Sequence, residues 1–160
     1  MINCLRIDDR LLHGQVITKW ITIYDPDAIV IADDKTAADP IAKMALKVAK
    51  PEGIKLAINN VNDAIGLLQN PKTKSMKLFV LVKTTESAKR IIEAGLKVQN
   101  INIGGIRNSS KDAIELAGVV RVSSEDITYL KWIANKVDDI DIRTVPSEKE
   151  VNVAKLLESL

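Results

Sequence analysis

The chain has 160 residues, 46% of them hydrophobic, and its 23 basic and 21 acidic side chains leave a formal charge of +2. That balance describes one globular domain spanning residues 1–160 and excludes a disordered chain or a nucleic-acid binder acting through a strong basic field. The longest unbroken apolar runs, Ala28–Ala32 and Leu78–Val82, fall far short of the ~20 residues a membrane-spanning helix needs, and Arg6, Asp8 and Asp9 interrupt any signal-peptide core, so a cytoplasmic location is expected.

Along the chain, short β-branched runs alternate with segments of helical period, the pattern of βαβ units. Ile2–Ile7 reads as a strand. Gly14–Tyr24 follows as a helix, with Val16, Trp20 and Tyr24 recurring every four residues beside Ile17 and Ile21. Ala28–Ala32 is continuously apolar, as a strand covered on both faces should be. Asp39-Pro40 starts a helix whose Ile41, Met44, Ala45 and Val48 form a stripe expected to be buried, and Pro51-Glu52-Gly53 ends it. Ile54–Ile58 is the next strand, Asn60 caps a helix with Val61, Ala64, Ile65 and Leu68 inward, and Asn70–Ser75 is a polar turn. Lys77–Val82 is a strand, and the helix carrying Ala88, Ile91 and Ile92 stops at Gly95. Gln99–Ile103 reads as a short strand ending in Gly104-Gly105. Ile106–Leu116 is ambiguous, with a loop at Asn108-Ser109-Ser110 and room for a hairpin into Val119–Val122. Ser123–Asp126 opens a helix with Ile127, Leu130, Ala134 and Val137 on one face, Asp141–Val145 is a further strand, and Ser147 with Glu150 reads as a capping box for a last helix.

The expected fold is therefore α/β: an open, twisted, mostly parallel sheet with helices on both faces and room for one antiparallel strand. Such folds bind ligands outside the carboxyl ends of their strands. That rule selects the loops Asp8–Gly14, Asp33–Lys35, Lys83–Glu86 and Gly104–Ser110.

The single cysteine and single histidine exclude an internal disulfide, a Cys-rich zinc site and any site needing two imidazoles from one chain. With Trp20, Tyr24, Phe79, Tyr129 and Trp132 as its only aromatics, the chain offers no base-stacking platform, and both tryptophans read as packing residues. The densest chemistry is Arg6-Ile7-Asp8-Asp9-Arg10-Leu11-Leu12-His13-Gly14-Gln15-Val16, between a strand and a helix. Arginine's planar fork suits a phosphate or a carboxylate. A histidine just ahead of a helix sits where unpaired amides favour an anion, and Gly14 removes a side chain where the backbone must come close. Imidazole, with an ordinary pKa near ~6.5, is a competent nucleophile at neutral pH, and a carboxylate on one ring nitrogen keeps the lone pair on the other. These parts suit a histidine that takes up and gives up a phosphoryl group. Against that stands the plainer reading of a surface or core histidine beside aspartates that cap a helix and pair with arginines.

Arg10, three residues before His13, ranks first for contact with the phosphate. Arg6 ranks second, because at the strand end it is also placed to pair with a carboxylate. The backbone N–H groups of Gly14 and Gln15 could complete the cradle. Asp8 or Asp9 would orient an arginine or the imidazole, or else serve only the loop and cap. Lys83, Thr84, Asn102, Gly104 and Gly105 are expected to shape the rim. Asp33-Asp34 reads as a turn cap, Gly104-Gly105 lacks the Lys-Ser/Thr ending of a P-loop, and neither a metal nor a cofactor is expected.

The stretch from Arg6 to Val16 resembles the phosphorylation-site signature of the mannose/sorbose-type EIIB proteins of the phosphoenolpyruvate-dependent sugar phosphotransferase system. The resemblance extends to Trp20, to Ile29-Val30-Ile31-Ala32-Asp33-Asp34, to Leu81-Val82-Lys83-Thr84, to Ile101-Asn102-Ile103-Gly104-Gly105 (similar to the family's Asn-Val-Gly-Gly loop) and to Arg143-Thr144-Val145-Pro146. Leu12 stands where isoleucine is commoner, a volume-conserving change, and Ile106–Leu116 matches poorly. The resemblance implies a phosphotransferase in which His13 accepts phosphoryl at Nδ1 from an EIIA partner. It would pass the group to a sugar held by the membrane components EIIC and EIID, with the chain peripheral to that transporter. The resemblance does not tell which sugar is carried. Two other readings compete: a module that binds an anion noncovalently through Arg6, Arg10 and the helix start, and a subunit that only docks.

Overall fold

The computed structural model describes the whole chain except the side chains of Gln15 and Val16, so the predicted place of Val16 in its helical stripe lies outside the described residues. The described residues form strands β1 (Ile2–Asp8), β2 (Ala28–Ala32), β3 (Lys55–Asn59), β4 (Leu78–Val82), β5 (Ile101–Arg107), β6 (Ile114–Ala117), β7 (Val120–Val122), β8 (Ile140–Ile142) and β9 (Val151–Asn152). The helices are α1 (Gly14–Tyr24), α2 (Asp34–Ala37), α3 (Pro40–Ala49), α4 (Val61–Gln69), α5 (Thr85–Glu93), α6 (Ser124–Ala134) and α7 (Val153–Glu158). The sheet order is β3-β2-β4-β1-β5-β7-β6, with β8 pairing β5 and β9 pairing β8. The ladders are parallel except for β6–β7 and β8–β9. The expected mostly parallel α/β sheet is the observed one, and its antiparallel part comprises two short pairs.

Alternation along the strands builds two cores. In β2, Ala28, Val30 and Ala32 join one cluster with residues of α4 to α7, while Ile29 and Ile31 join the other with Ile17, Trp20 and Ile21 of α1 and Leu46 of α3. Crossovers travelling from β1 toward β3 thus lie over one face, and those returning through β4 to β5 lie over the other. That is what right-handed connections require when the direction of travel reverses. Connections leave β1 and β5, which are neighbours, in opposite directions, so the crevice at their carboxyl ends is the switch point.

Four expectations need correction. The stripe on α3 is not buried: Ile41, Met44 and Val48 are 82%, 68% and 83% exposed, Ala45 is exposed too, and only Leu46 turns into the core. Helical period reports which face is apolar, and the sheet reaches α3 from another side. Gly104 and Gly105 do not form a loop; they lie inside β5, which runs on to Arg107 and absorbs the start of the ambiguous stretch. The strand expected over Asp141–Val145 ends at Ile142. Ser147 and Glu150 do not cap the last helix: Asn152 does, its side chain accepting the Lys155 N–H at 3.0 Å, while Glu150 pairs with Arg143 at 3.3 Å. A complete capping box does occur one helix earlier, between Ser123 and Asp126.

Candidate functional site

β1 delivers Arg6 and Asp8 to the α1 side of the sheet, two residues apart and therefore on one face. Both side chains are fully buried, and Arg6 Nη2 donates to Asp8 Oδ2 at 3.0 Å. A buried charge pair is tolerated only with its remaining valences met. Here Arg6 also donates to Asn102 Oδ1 and to the main-chain carbonyls of Arg143 (3.2 Å) and Thr144 (3.1 Å), and only its Nε is left without a partner among the described residues. Asn102 in turn donates to Asp141 Oδ2 at 3.2 Å, and Arg143 Nε donates to the same oxygen at 2.6 Å. The Arg6 and Arg143 Cζ atoms each lie 5.2 Å from the centre of the Trp20 ring, whose N–H donates to Thr144 O at 2.8 Å.

Beyond Asp8 the chain turns sharply. The Leu11 N–H donates to Asp8 O at 3.0 Å with Leu11 in the left-handed region (φ 57°), and Leu11 and Leu12 sink into the core under α1. Those two anchors turn the next residue, His13, outward. His13 is the extended N-cap residue of α1, and its side chain is 22% exposed. Gly14 follows at φ 40°, where a Cβ would be strained, so the helix can begin at once. The first amides of α1, at Gly14 and Gln15, have no partner within the helix.

Asp8 is the hub. Its Oδ1 accepts from Arg10 N (3.0 Å) and Arg10 Nε (3.1 Å), and its Oδ2 accepts from Arg10 Nη2 (3.2 Å) and faces His13 Nε2 at 3.2 Å. Burial pushes the Asp8 carboxyl up, but the Arg10 side-chain and backbone donors, the Arg6 charge and His13 outweigh it and hold the group below the usual carboxylate range. An ionised Asp8 can only accept, so it fixes the proton of a neutral His13 on Nε2 and leaves the lone pair on Nδ1. Arg10 is 36% exposed, and its Nη1 has no partner among the described residues. Cys4, the other nucleophilic side chain, is fully buried and its thiol is pushed up to about 12, chiefly by burial, which leaves it unreactive.

The sign of the Asp8 shift gives a pH expectation. A carboxylate held low contributes stability above its unfolded value near ~3.9 and loses it as pH falls through the lower folded value. The melting temperature of the wild-type chain is therefore expected to fall more steeply below about pH 4 than that of Asp8→Asn. Parallel curves in a pH series of thermal melts would contradict the assignment.

The structure brings together Arg6, Asp8, Arg10 and His13, and separates Arg6, as a buried partner of Asp8, from Arg10, which faces solvent. Asp9 turns away, accepting the Arg107 backbone N–H at 3.0 Å and pairing with the Arg107 guanidinium. Asn102 is no rim residue: it is 1% exposed and supports Arg6 from below. Thr84 caps α5, accepting the Ser87 N–H at 3.1 Å, and Lys83 follows Val82, the register partner of Ile7. Asp33 caps α2 through Thr36, as a turn cap should. Sequence reasoning missed Arg107, Asp141 and Arg143 as members of this assembly. The resemblance around Arg143-Thr144 was their one signal, since the strand order that joins them to β1 is not local information.

Comparison with known proteins gives a consistent result. The family described as PTS system sorbose subfamily IIB component matches residues 2–160. The sorbose-specific EIIB component of Lacticaseibacillus casei is 29% identical over 153 residues, covering 96% of this chain and 93% of that protein. The mannose-specific EIIAB component of Escherichia coli K12 is 27% identical over 160 residues, all of this chain and 49% of that protein, so the chain spans about half the length of these EIIAB relatives. The crystal structure of the IIBSor domain of the sorbose permease from Klebsiella pneumoniae superposes with a TM-score of 0.91 at 27% identity, covering 99% of this chain and 97% of that one.

Proposed function

From the premise that this chain belongs to the sorbose subfamily of phosphotransferase-system IIB components, we propose that it is a phosphocarrier whose acceptor is His13 Nδ1. The donor is the phosphohistidine of an EIIA partner, and the receiver is a sugar presented by membrane EIIC and EIID components, with this chain peripheral to them. The observation that carries the proposal is the contact of His13 Nε2 with buried Asp8 at 3.2 Å on a ring that is still partly exposed. The contact spends Nε2 and leaves the Nδ1 lone pair for an incoming phosphorus.

In the acceptance step the Nδ1 lone pair attacks the donor's phosphorus. The new P–N bond forms as the donor's P–N bond breaks, and that electron pair returns to the donor ring. The His13 ring, retaining its Nε2 proton, gains positive character that Asp8 stabilises. Arg10 meets the phosphoryl oxygens through its unspent N–H groups, and the first amides of α1 supply further donors. Passing the group on breaks the P–N bond at His13 as a sugar hydroxyl oxygen forms a new P–O bond, the electron pair returning to Nδ1 and the hydroxyl proton leaving to solvent.

The test is incubation with phosphoenolpyruvate, the general phosphotransfer proteins and a matching EIIA. An acid-labile, base-stable phosphoprotein is expected. Reversible anion binding without covalent label would favour a sensing module instead. Arg10→Ala is expected to slow label acquisition roughly a hundredfold while leaving His13 modifiable, the scale of losing one strong donor to a developing anion. A wild-type rate in rapid-quench measurements would remove Arg10 from this role.

A further inference from the structure

Gly104 lies where β5 loses step with β1. The ladder pairs Arg6 with Asn102 and Ile7 with Ile103, then slips so that Asp8 meets Gly105, leaving Gly104 as the extra residue. A bulge of this kind re-aims the side chains beside it. The Gly104 backbone is not in the left-handed region, so glycine is not required there for its dihedral angles. It is required for space. A Cβ at Gly104 would overlap the Arg6 guanidinium and stand 2.6 Å from Asp8 Oδ2.

Neither group can move aside cheaply. Arg6 is fully buried and held by Asn102, two backbone carbonyls and the Trp20 ring, while Asp8 is tied to Arg6, Arg10 and His13. The neighbouring glycine is different: a Cβ at Gly105 would come 3.0 Å from the tip of Arg107, whose side chain is 43% exposed and can give way at the cost only of an exposed ion pair with Asp9.

We propose that Gly104 is a positioning residue for phosphoryl transfer: its missing side chain is the slot in which the Arg6–Asp8 pair lies, and that pair sets the tautomer of His13. The proposal rests on the reading of His13 as acceptor, but its first readout does not. Displacing Asp8 by even part of an ångström loosens its hold on Nε2–H, and the neutral imidazole then distributes its proton between both nitrogens. Molecules with the proton on Nδ1 cannot attack phosphorus, and the rest lose the Asp8 contact that aligns the ring, so the rate falls further than the tautomer ratio alone would set.

The experiment is nitrogen-15 NMR of the His13 ring in wild type, Gly104→Ala and, as control, Gly66→Ala on the exposed side of α4, recorded well above the ordinary imidazole pKa of ~6.5. Wild type and the Gly66 variant are expected to show the Nε2–H tautomer, and Gly104→Ala a mixture of both. A wild-type tautomer in Gly104→Ala overturns the proposal whether or not the chain accepts phosphate. With phospho-EIIA as donor, the Gly104 variant is expected to lose roughly ten- to a hundredfold in the rate at saturating donor, with the half-saturating concentration unchanged. Loss confined to half-saturation also overturns it. Should Gly104→Ala fail to fold, the double variant with Arg6→Ala decides. It is expected to melt no lower than Arg6→Ala alone, because the guanidinium the new methyl would overlap is gone and Asp8, released from it, can shift toward Arg10. An additive further loss would place the damage elsewhere.

Discussion

His13→Ala is expected to take up no phosphoryl label at all and yet to melt within about 0.5 kcal/mol of the wild-type stability. Both halves follow from the same geometry. His13 is the sole histidine of the chain, and the Cys4 thiol is buried and held in its protonated form, so no second nucleophile of comparable reactivity stands near the switch point. The imidazole contributes little to packing, because its ring is partly exposed and Asp8, its one hydrogen-bond partner among the described residues, keeps its contacts with Arg6 and Arg10 when the ring is removed. The measurement pairs an acid-labile phosphate assay with thermal unfolding of the same preparation. Label persisting on the variant would move the acceptor to another side chain. A large fall in melting temperature would show that the ring is a structural element.

Arg6→Ala is expected to do the reverse, with most of its effect on stability. Truncating one member of a buried, hydrogen-bonded ion pair leaves the other charge without its partner and costs about 3–5 kcal/mol. At about 2–4 °C per kcal/mol for a chain of this size, the melting temperature should drop by about 10 °C. Four acceptors each lose one donor at once, Asp8, Asn102 and the carbonyls of Arg143 and Thr144, while Asp8 keeps Arg10 and Thr144 O keeps the Trp20 indole N–H. Trp20 loses one of the two guanidiniums over its ring. A drop of only a degree or two in calorimetry would mean that Asp8 is adequately held by Arg10 alone.

The contrast between these variants marks what could and could not be read from the amino-acid order. Period and capping located β1, α1, β2, β4 and the start of α6, because each rests on neighbours within a few residues: the continuous apolar run of Ala28–Ala32, the recurrence of Trp20 and Tyr24, the Ser123 cap. The chemistry of Arg6 to His13 was legible for the same reason, since Asp8 reaches Arg6, Arg10 and His13 all within the loop. The division of labour between the two arginines needed the third dimension. Arg6 is buried because β5 and the residues after β8 close over it, and those lie 96 and 137 positions away in the chain. Gly104-Gly105 looked like a turn because glycines usually punctuate strands. Here one of them instead makes space inside a strand. The α3 stripe failed in the other direction: Ile41, Met44 and Val48 have the spacing of a buried face, but period carries no information about whether another element covers that face.

The anchoring of Arg6 by the main chain at Arg143 and Thr144 has a consequence for biosynthesis. Domains are generally assembled as the ribosome delivers them, amino-terminal portions first. The His13 ring, the proposed acceptor, emerges early, but the clamp that orients it closes only when the carboxyl-terminal quarter has been translated and has settled beside β5. A truncated or stalled nascent chain would thus hold the proposed acceptor without the geometry that poises it, so on that proposal competence waits for the segment around Arg143 and Thr144.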